Sequence, residues 1–304
     1  MARYILRRLG IALLTVFVLA TVTFFLVKLL PGDPFMNEKI PKSIQQEQLE
    51  YYGLDKPVVQ QYFIYMSNLF RGNLGTSLKF VGRPVTDIIA EFFPVSAKLG
   101  LFSMIFAELT GVLFGVLCAQ YRSRWPDYVL MIFAIVGIAL PSMVIGPLIR
   151  YFFGVKLRLL PVGGWGNFKL IIMPAFVLGL TTVAGNTRTM RACMLAVTTE
   201  DYVKTARAKG MKLFRVVLKH ELKNSLVPMI SGLGPAIAGV LMGSFVVEQI
   251  FVIPGLGKYF VNAVTTLDYP MVMGLTIFYG SFLVAMNMLV DILYGVIDPQ
   301  IRVS

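Results

Sequence analysis

Charge along this chain is gathered into short blocks that separate long apolar runs, and the runs decide the fold class. A helix needs roughly 20 mainly apolar residues to cross about 30 Å of hydrocarbon, because every backbone N–H and C=O must be satisfied inside the segment. Six stretches meet that requirement: residues 9–30, 99–121, 128–153, 170–190, 226–251 and 271–297. The fourth is the weakest, diluted by Pro174 and the polar run 181–188. The pattern predicts an all-α membrane protein with six transmembrane helices. No internal repeat is visible, so a single domain over residues 1–304 is expected.

Arg3, Arg7 and Arg8 precede the first run and hold the N-terminus in the cytoplasm. Six spans then bring the short loop 122–127, the loop 191–225 and the C-terminal tail to the same side. The first run is too long for a secretory signal and lacks a small-x-small cleavage site, which predicts a retained helix.

The external loop 31–97 carries helix signals of its own. SIQQEQLEYYG offers Ser43 as an N-cap, Gln46 as its capping-box partner and Gly53 as a stop. PVVQQYFIYMSNLFRG starts with Pro57, repeats apolar residues at Val58, Tyr62, Tyr65, Met66 and Leu69, and ends at Gly72. Two short amphipathic helices on the outer surface are expected, either capping the bundle or touching an external partner.

Composition agrees and then narrows the chemistry. The 304 residues are 57% hydrophobic and 14% charged, with a net charge of +12. Uphill transport needs an energy source, yet no phosphate-binding Gly-x-x-x-x-Gly-Lys-Ser/Thr loop occurs; the nearest fragment, Gly255-Leu256-Gly257-Lys258, runs on into Tyr259. His220, the only histidine, has no nucleophile motif around it, which excludes a catalytic triad. Cys118 and Cys193 have no metal-ligand spacing, so neither a metal site nor a disulfide framework is expected.

Acids inside spans are expensive and default to functional candidates. Glu108 falls in the second run, Glu248 near the outer end of the fifth and Asp291 toward the inner end of the sixth; they form no series at helical spacing like that of a proton relay. Glu108 and Glu248 are candidate pathway residues, although Glu248 and Asp291 read more simply as helix-end residues that reach water. Pro141 and Pro174 each remove a backbone bond, and Pro141 is a candidate gating kink. The pairs Gly111/Gly115 and Gly239/Gly243 allow helices to approach closely.

The densest basic block is DYVKTARAKGMKLFRVVLKHELKNSL, residues 201–226. It reads as helix, break at Gly210, helix, with Leu213, Val216, Val217, His220 and Asn224 on one face. Nucleic-acid binding is disfavoured because the block adjoins membrane spans and lacks interleaved aromatics. Anionic lipid attracts each basic residue by about 1 kcal/mol but leaves the ordered TARAKG segment unexplained. A docking surface for a soluble cytoplasmic protein accounts both for the small residues and for the missing energy source.

These residues resemble the cytoplasmic loop of bacterial ATP-binding-cassette importer permeases of the oligopeptide, dipeptide and nickel branch. The likeness extends to RYILRRLG, LLPGDPF, FPVSAKLG, GSFVVEQIFVIPGLG and DILYGVIDPQIR, and is greatest for the oligopeptide subunits. Where the wider family has Glu-Ala-Ala-x-x-x-Gly, this chain has Lys204, Thr205, Ala206 and Gly210; the glutamate and first alanine are absent, as in the peptide branch.

The resemblance implies a type I importer permease in a bacterial cell membrane, with both termini cytoplasmic. Its partners would be a second permease, two ATPase subunits that bind ATP and magnesium, and an external solute-binding protein. Lys204, Thr205, Ala206, Arg207, Ala208, Lys209 and Gly210 would couple the chain to the ATPases, and no cofactor would be held by this chain. An autonomous channel or ion-coupled carrier is the alternative from another class, and dipeptides or nickel are alternative cargoes.

Overall fold

The computed structural model describes residues 2–29, 50, 53–80, 82–226, 229, 233, 236, 237, 239, 240 and 245–297. The described residues are helical apart from turns and one isolated bridge, Thr76 to Pro84. The helices are α1 (Ala2–Lys28), α2 (Val58–Phe70), α3 (Val85–Gln120), α4 (Trp125–Ala139), α5 (Ser142–Ile149), α6 (Phe168–Val197) and α7 (Asp201–Ala208). Then come α8 over 213–225, α9 (Phe245–Ile250), α10 (Gly257–Thr265) and α11 (Tyr269–Ile297). Contacts divide the chain into two compact units, residues 1–94 with 256–285 and residues 95–255 with 286–304. The division falls inside α3 beside Pro94, which lacks the N–H that would bond back along the helix.

Among the described residues, four helices are long and apolar enough to cross a membrane, within α1, α3, α6 and α11. They match four of the six predicted runs. α3 begins at Val85 rather than near 99, so FPVSAKLG belongs to the helix instead of preceding it. The predicted fifth span, 226–251, falls partly outside the described residues, and the proposed Ser43 and Gln46 cap lies outside them.

The expected continuous third span, 128–153, is corrected. It is a broken pair, α4 and α5 with its π-helical extension Arg150–Lys156, bent by 111°. The cause is local. A residue before proline is pushed out of the helical region, and Leu140 is extended at φ −93°, ψ 120°. Pro141 follows at φ −61°, ψ 145° and becomes the N-cap of α5.

In the first unit, α2 forms as its pattern predicts, capped by Pro57 and closed at Gly72 with φ +75°. It lies against α1: Phe24 packs on Tyr62 and Tyr65 with ring centroids 5.5 Å apart, and Thr21 shares a 2.9 Å hydrogen bond with the Tyr62 hydroxyl. The turn 75–85 hangs from Asp268, which is 1% exposed. Its carboxylate accepts from Ser77 Oγ, from the Leu78 and Lys79 amides at 3.1 and 3.3 Å, and from the Met271 amide at 3.3 Å.

The second unit has a core of Leu99, Ile145, Ile171, Val177, Leu180, Val247 and Phe251. α3 approaches α6 at the Gly111 and Gly115 pair. A Cβ at Gly111 would lie 2.5 Å from that of Asn186, and one at Gly115 would overlap the Met190 side chain, 2.9 Å from the Thr187 carbonyl oxygen. The spacing thus serves packing within the chain. Surfaces differ between helices: α1 exposes Leu13, Leu14, Phe17 and Val18, as lipid contact requires, whereas over residues 173–197 the exposed positions of α6 are Thr181, Arg188, Thr189, Ala192 and Ala196.

Candidate functional site

The basic block folds as a helical hairpin in the second unit. α7 starts after the extended Glu200, and its amide pattern closes with Gly210 N–H donating to the Arg207 carbonyl at 3.0 Å. Gly210 sits at φ +73°, a left-handed conformation costly for residues with a Cβ, which is why the break falls there. α8 then runs α-helical at Leu213–Val216, π-helical at Val217–Leu222 and α-helical at Lys223–Ser225.

α7 is held from beneath by Val203, Ala206 and Val216, with Val197 and Met211 beside them. Lys204, Thr205, Arg207, Ala208, Lys209 and Gly210 are exposed, while Ala206 faces inward at 5% exposure. Six of the seven candidate docking residues therefore share an open surface, and the seventh anchors it. Lys204 pairs with Asp201 at 2.8 Å, but both side chains are solvated and the pair adds little stability. Thr205 turns its hydroxyl back to the Asp201 carbonyl at 2.8 Å, so its polar atom is satisfied within α7.

α8 turns a different face inward from the one its spacing predicts. Leu213 is 59% exposed and Asn224 is exposed, while Val216, Val217, Glu221 and Ser225 are buried. The π-helical stretch widens the turn, so the step from Val216 to Glu221 is five residues, and the inward stripe shifts. Leu213, Phe214 and Leu218 are left outside among Lys212, Arg215 and Lys219, which makes a basic surface with an apolar centre.

Glu221 is not among the sequence candidates, and the fold places it inside the hairpin. It has no exposed surface and accepts from Arg207 Nη2 at 2.7 Å and Gln120 Nε2 at 2.8 Å. Its signal was present: it is the only acid between Asp201 and Glu248, set in a strongly basic run. A second link joins the same limbs, Asn224 Nδ2 donating to the Tyr202 hydroxyl at 2.9 Å.

The remaining candidates are separate from the hairpin. Glu108 is half-buried on α3, one turn from the Gly111 contact. Pro141 stands at the 111° break. Glu248 does not reach water: it is 1% exposed, and Ser96 Oγ donates to it at 2.6 Å. A Cβ at Gly255 would lie 2.5 Å from the Glu248 carboxylate oxygens, so the turn after α9 closes directly over that acid. Asp291 lies in α11. Among the described residues no three His, Cys, Asp or Glu side chains gather as a metal site.

Comparison with known proteins covers nearly the whole chain. Residues 111–303 match the family model described as a binding-protein-dependent transport system inner membrane component, and residues 1–100 match the model for the N-terminal part of such components. The dipeptide transport system permease protein DppB of Lactococcus lactis is 43% identical over 303 residues, 99% of this chain and 100% of that one. The oligopeptide transport system permease proteins OppB of Haemophilus influenzae and Salmonella typhimurium are 42% and 41% identical over 306 residues, each again covering 99% of this chain and all of the relative.

Proposed function

Since the chain belongs to the family of binding-protein-dependent transport system inner membrane components, we propose that it moves peptides as one permease subunit of an ATP-driven importer. It is a multi-pass bacterial membrane protein and a transport permease rather than an ATPase. It would form half of the translocation pathway beside a second, similar permease. Two ATPase subunits, holding the ATP and magnesium, would dock on the cytoplasmic hairpin, and an external binding protein would deliver the peptide. Full-length identity to both oligopeptide and dipeptide permeases supports peptide cargo without separating the two.

One observation carries the docking part: α7 presents Lys204, Thr205, Arg207, Ala208 and Lys209 together on a surface braced by Val203 and Ala206. Small and basic side chains on a short exposed helix suit insertion into an acidic cleft, and Phe214, 74% exposed, supplies an apolar contact beside it. Closure of the ATPases would pull the hairpins together and switch the pathway from one side to the other. Pro141 is the proposed hinge, Glu108 a pathway residue, and Glu248 holds the 251–255 turn.

The test is to tag the chain, extract it gently from its membrane and identify what accompanies it. Stoichiometric ATPase subunits and a second six-span protein are expected. Gly210→Pro should lose the ATPases while still inserting in the membrane, because proline cannot adopt φ +73°. A chain that purifies alone and conducts solute in liposomes without ATP overturns the proposal in favour of a channel.

A further inference from the structure

The hairpin is joined to the membrane helices in two ways that differ in kind. Val217 shares one apolar cluster with Ala119 of α3 and with Met190 and Met194 of α6. Such contact is non-directional and tolerates sliding. The other join is directional. One buried carboxylate, Glu221, takes Arg207 of α7 on one oxygen and Gln120, the last residue of α3, on the other.

Stability alone does not explain this arrangement. A buried ion pair is often neutral or unfavourable against apolar side chains of similar volume, since desolvation offsets the attraction. What it provides is geometry, because each donor must stay in line with its oxygen. Arg207 is also placed to feel a partner: its side chain is 48% exposed on the docking surface while its Nη2 is committed inward. A guanidinium carries five N–H donors, so it can address an acid outside and Glu221 inside together.

We infer that Glu221 is a positioning residue that links α7 to the cytoplasmic end of α3, so that displacement of the docking helix moves a membrane-spanning helix. The inference rests on the docking reading above and adds to it the path by which force enters the membrane. Asn224 and Tyr202 brace the two limbs against each other, and Glu221 reaches α3 through its hydrogen bond with Gln120.

The test uses the whole transporter reconstituted in proteoliposomes, with peptide taken up per ATP hydrolysed as the readout and co-purification of the ATPases as the control. Glu221→Gln should keep the ATPases bound and lower the coupling ratio about fivefold, the lower end of usual coupling between sites. Arg207→Gln should lose a similar amount, and the double variant no more than either, because both break one link. Gln120→Ala leaves the ion pair in place and should still lower the ratio; should Glu221→Gln fail to fold, this variant decides alone. An unchanged ratio in Gln120→Ala, or losses that multiply in the double variant, overturns the inference while docking stands. Failure of the unaltered chain to retain the ATPases overturns the docking reading itself.

Discussion

Arg191 and Asp127 form a two-pronged ion pair, with Nε to Oδ1 at 2.7 Å and Nη2 to Oδ2 at 2.8 Å. The Ser123 amide also donates to Asp127, at 3.0 Å, and Ser123 itself is left-handed at φ 59°. One carboxylate therefore fixes the tight turn between α3 and α4 and ties it to α6. The Asp127 side chain is 4% exposed and that of Arg191 27%, so breaking the pair strands a charge away from water.

Arg191→Ala should therefore destabilise the chain by about 3 kcal/mol, seen as a fall of several degrees in the midpoint of heat inactivation in detergent. Arg191→Lys keeps the charge but loses the fork, and should fall between the two. Equal midpoints for Lys and Arg would show that charge alone matters at this site.

Gly115→Ala places a methyl against Met190 and the Thr187 backbone, where little can yield. Overpacking of this kind costs about 1 to 3 kcal/mol and should reduce the yield of detergent-stable protein. Gly239→Ala is the internal control: among the described residues nothing lies within 4 Å of a Cβ there, and the yield should not change. A loss at Gly239 equal to that at Gly115 would place the defect outside this chain's own packing.

Pro141→Ala restores a backbone N–H and frees Leu140 from its extended conformation, so α4 and α5 can straighten. Peptide uptake should fall at least about tenfold, the scale of a lost gating equilibrium, while the ATPases still co-purify. Undiminished uptake would mean that the break is scaffold and not hinge.

Hydropathy made α1, α3, α6 and α11 legible, because length and apolarity alone set what can span a membrane. The break at Gly210 was equally plain, since a glycine after an Ala-rich helix marks a left-handed cap. Pro141 was visible as a kink but not as a 111° bend, which depends on how the two flanking helices pack. The inward face of α8 was misplaced for a local reason: one wide π-helical stretch moves the stripe from Leu213 and Asn224 to Glu221 and Ser225. The burial of Glu221 and Glu248 was not legible because it depends on partners far along the chain, Gln120 in one case and Ser96 in the other.

The outward stripe of α6 bears on the fate of a lone subunit. Thr181, Arg188 and Thr189, within the predicted span 170–190, gain far less from acyl chains than the leucines of α1 do. In a solitary copy these polar side chains would meet hydrocarbon, an instability that burial against a partner would remove. The bilayer itself acts as the selective medium here, disfavouring the orphan and favouring the complex.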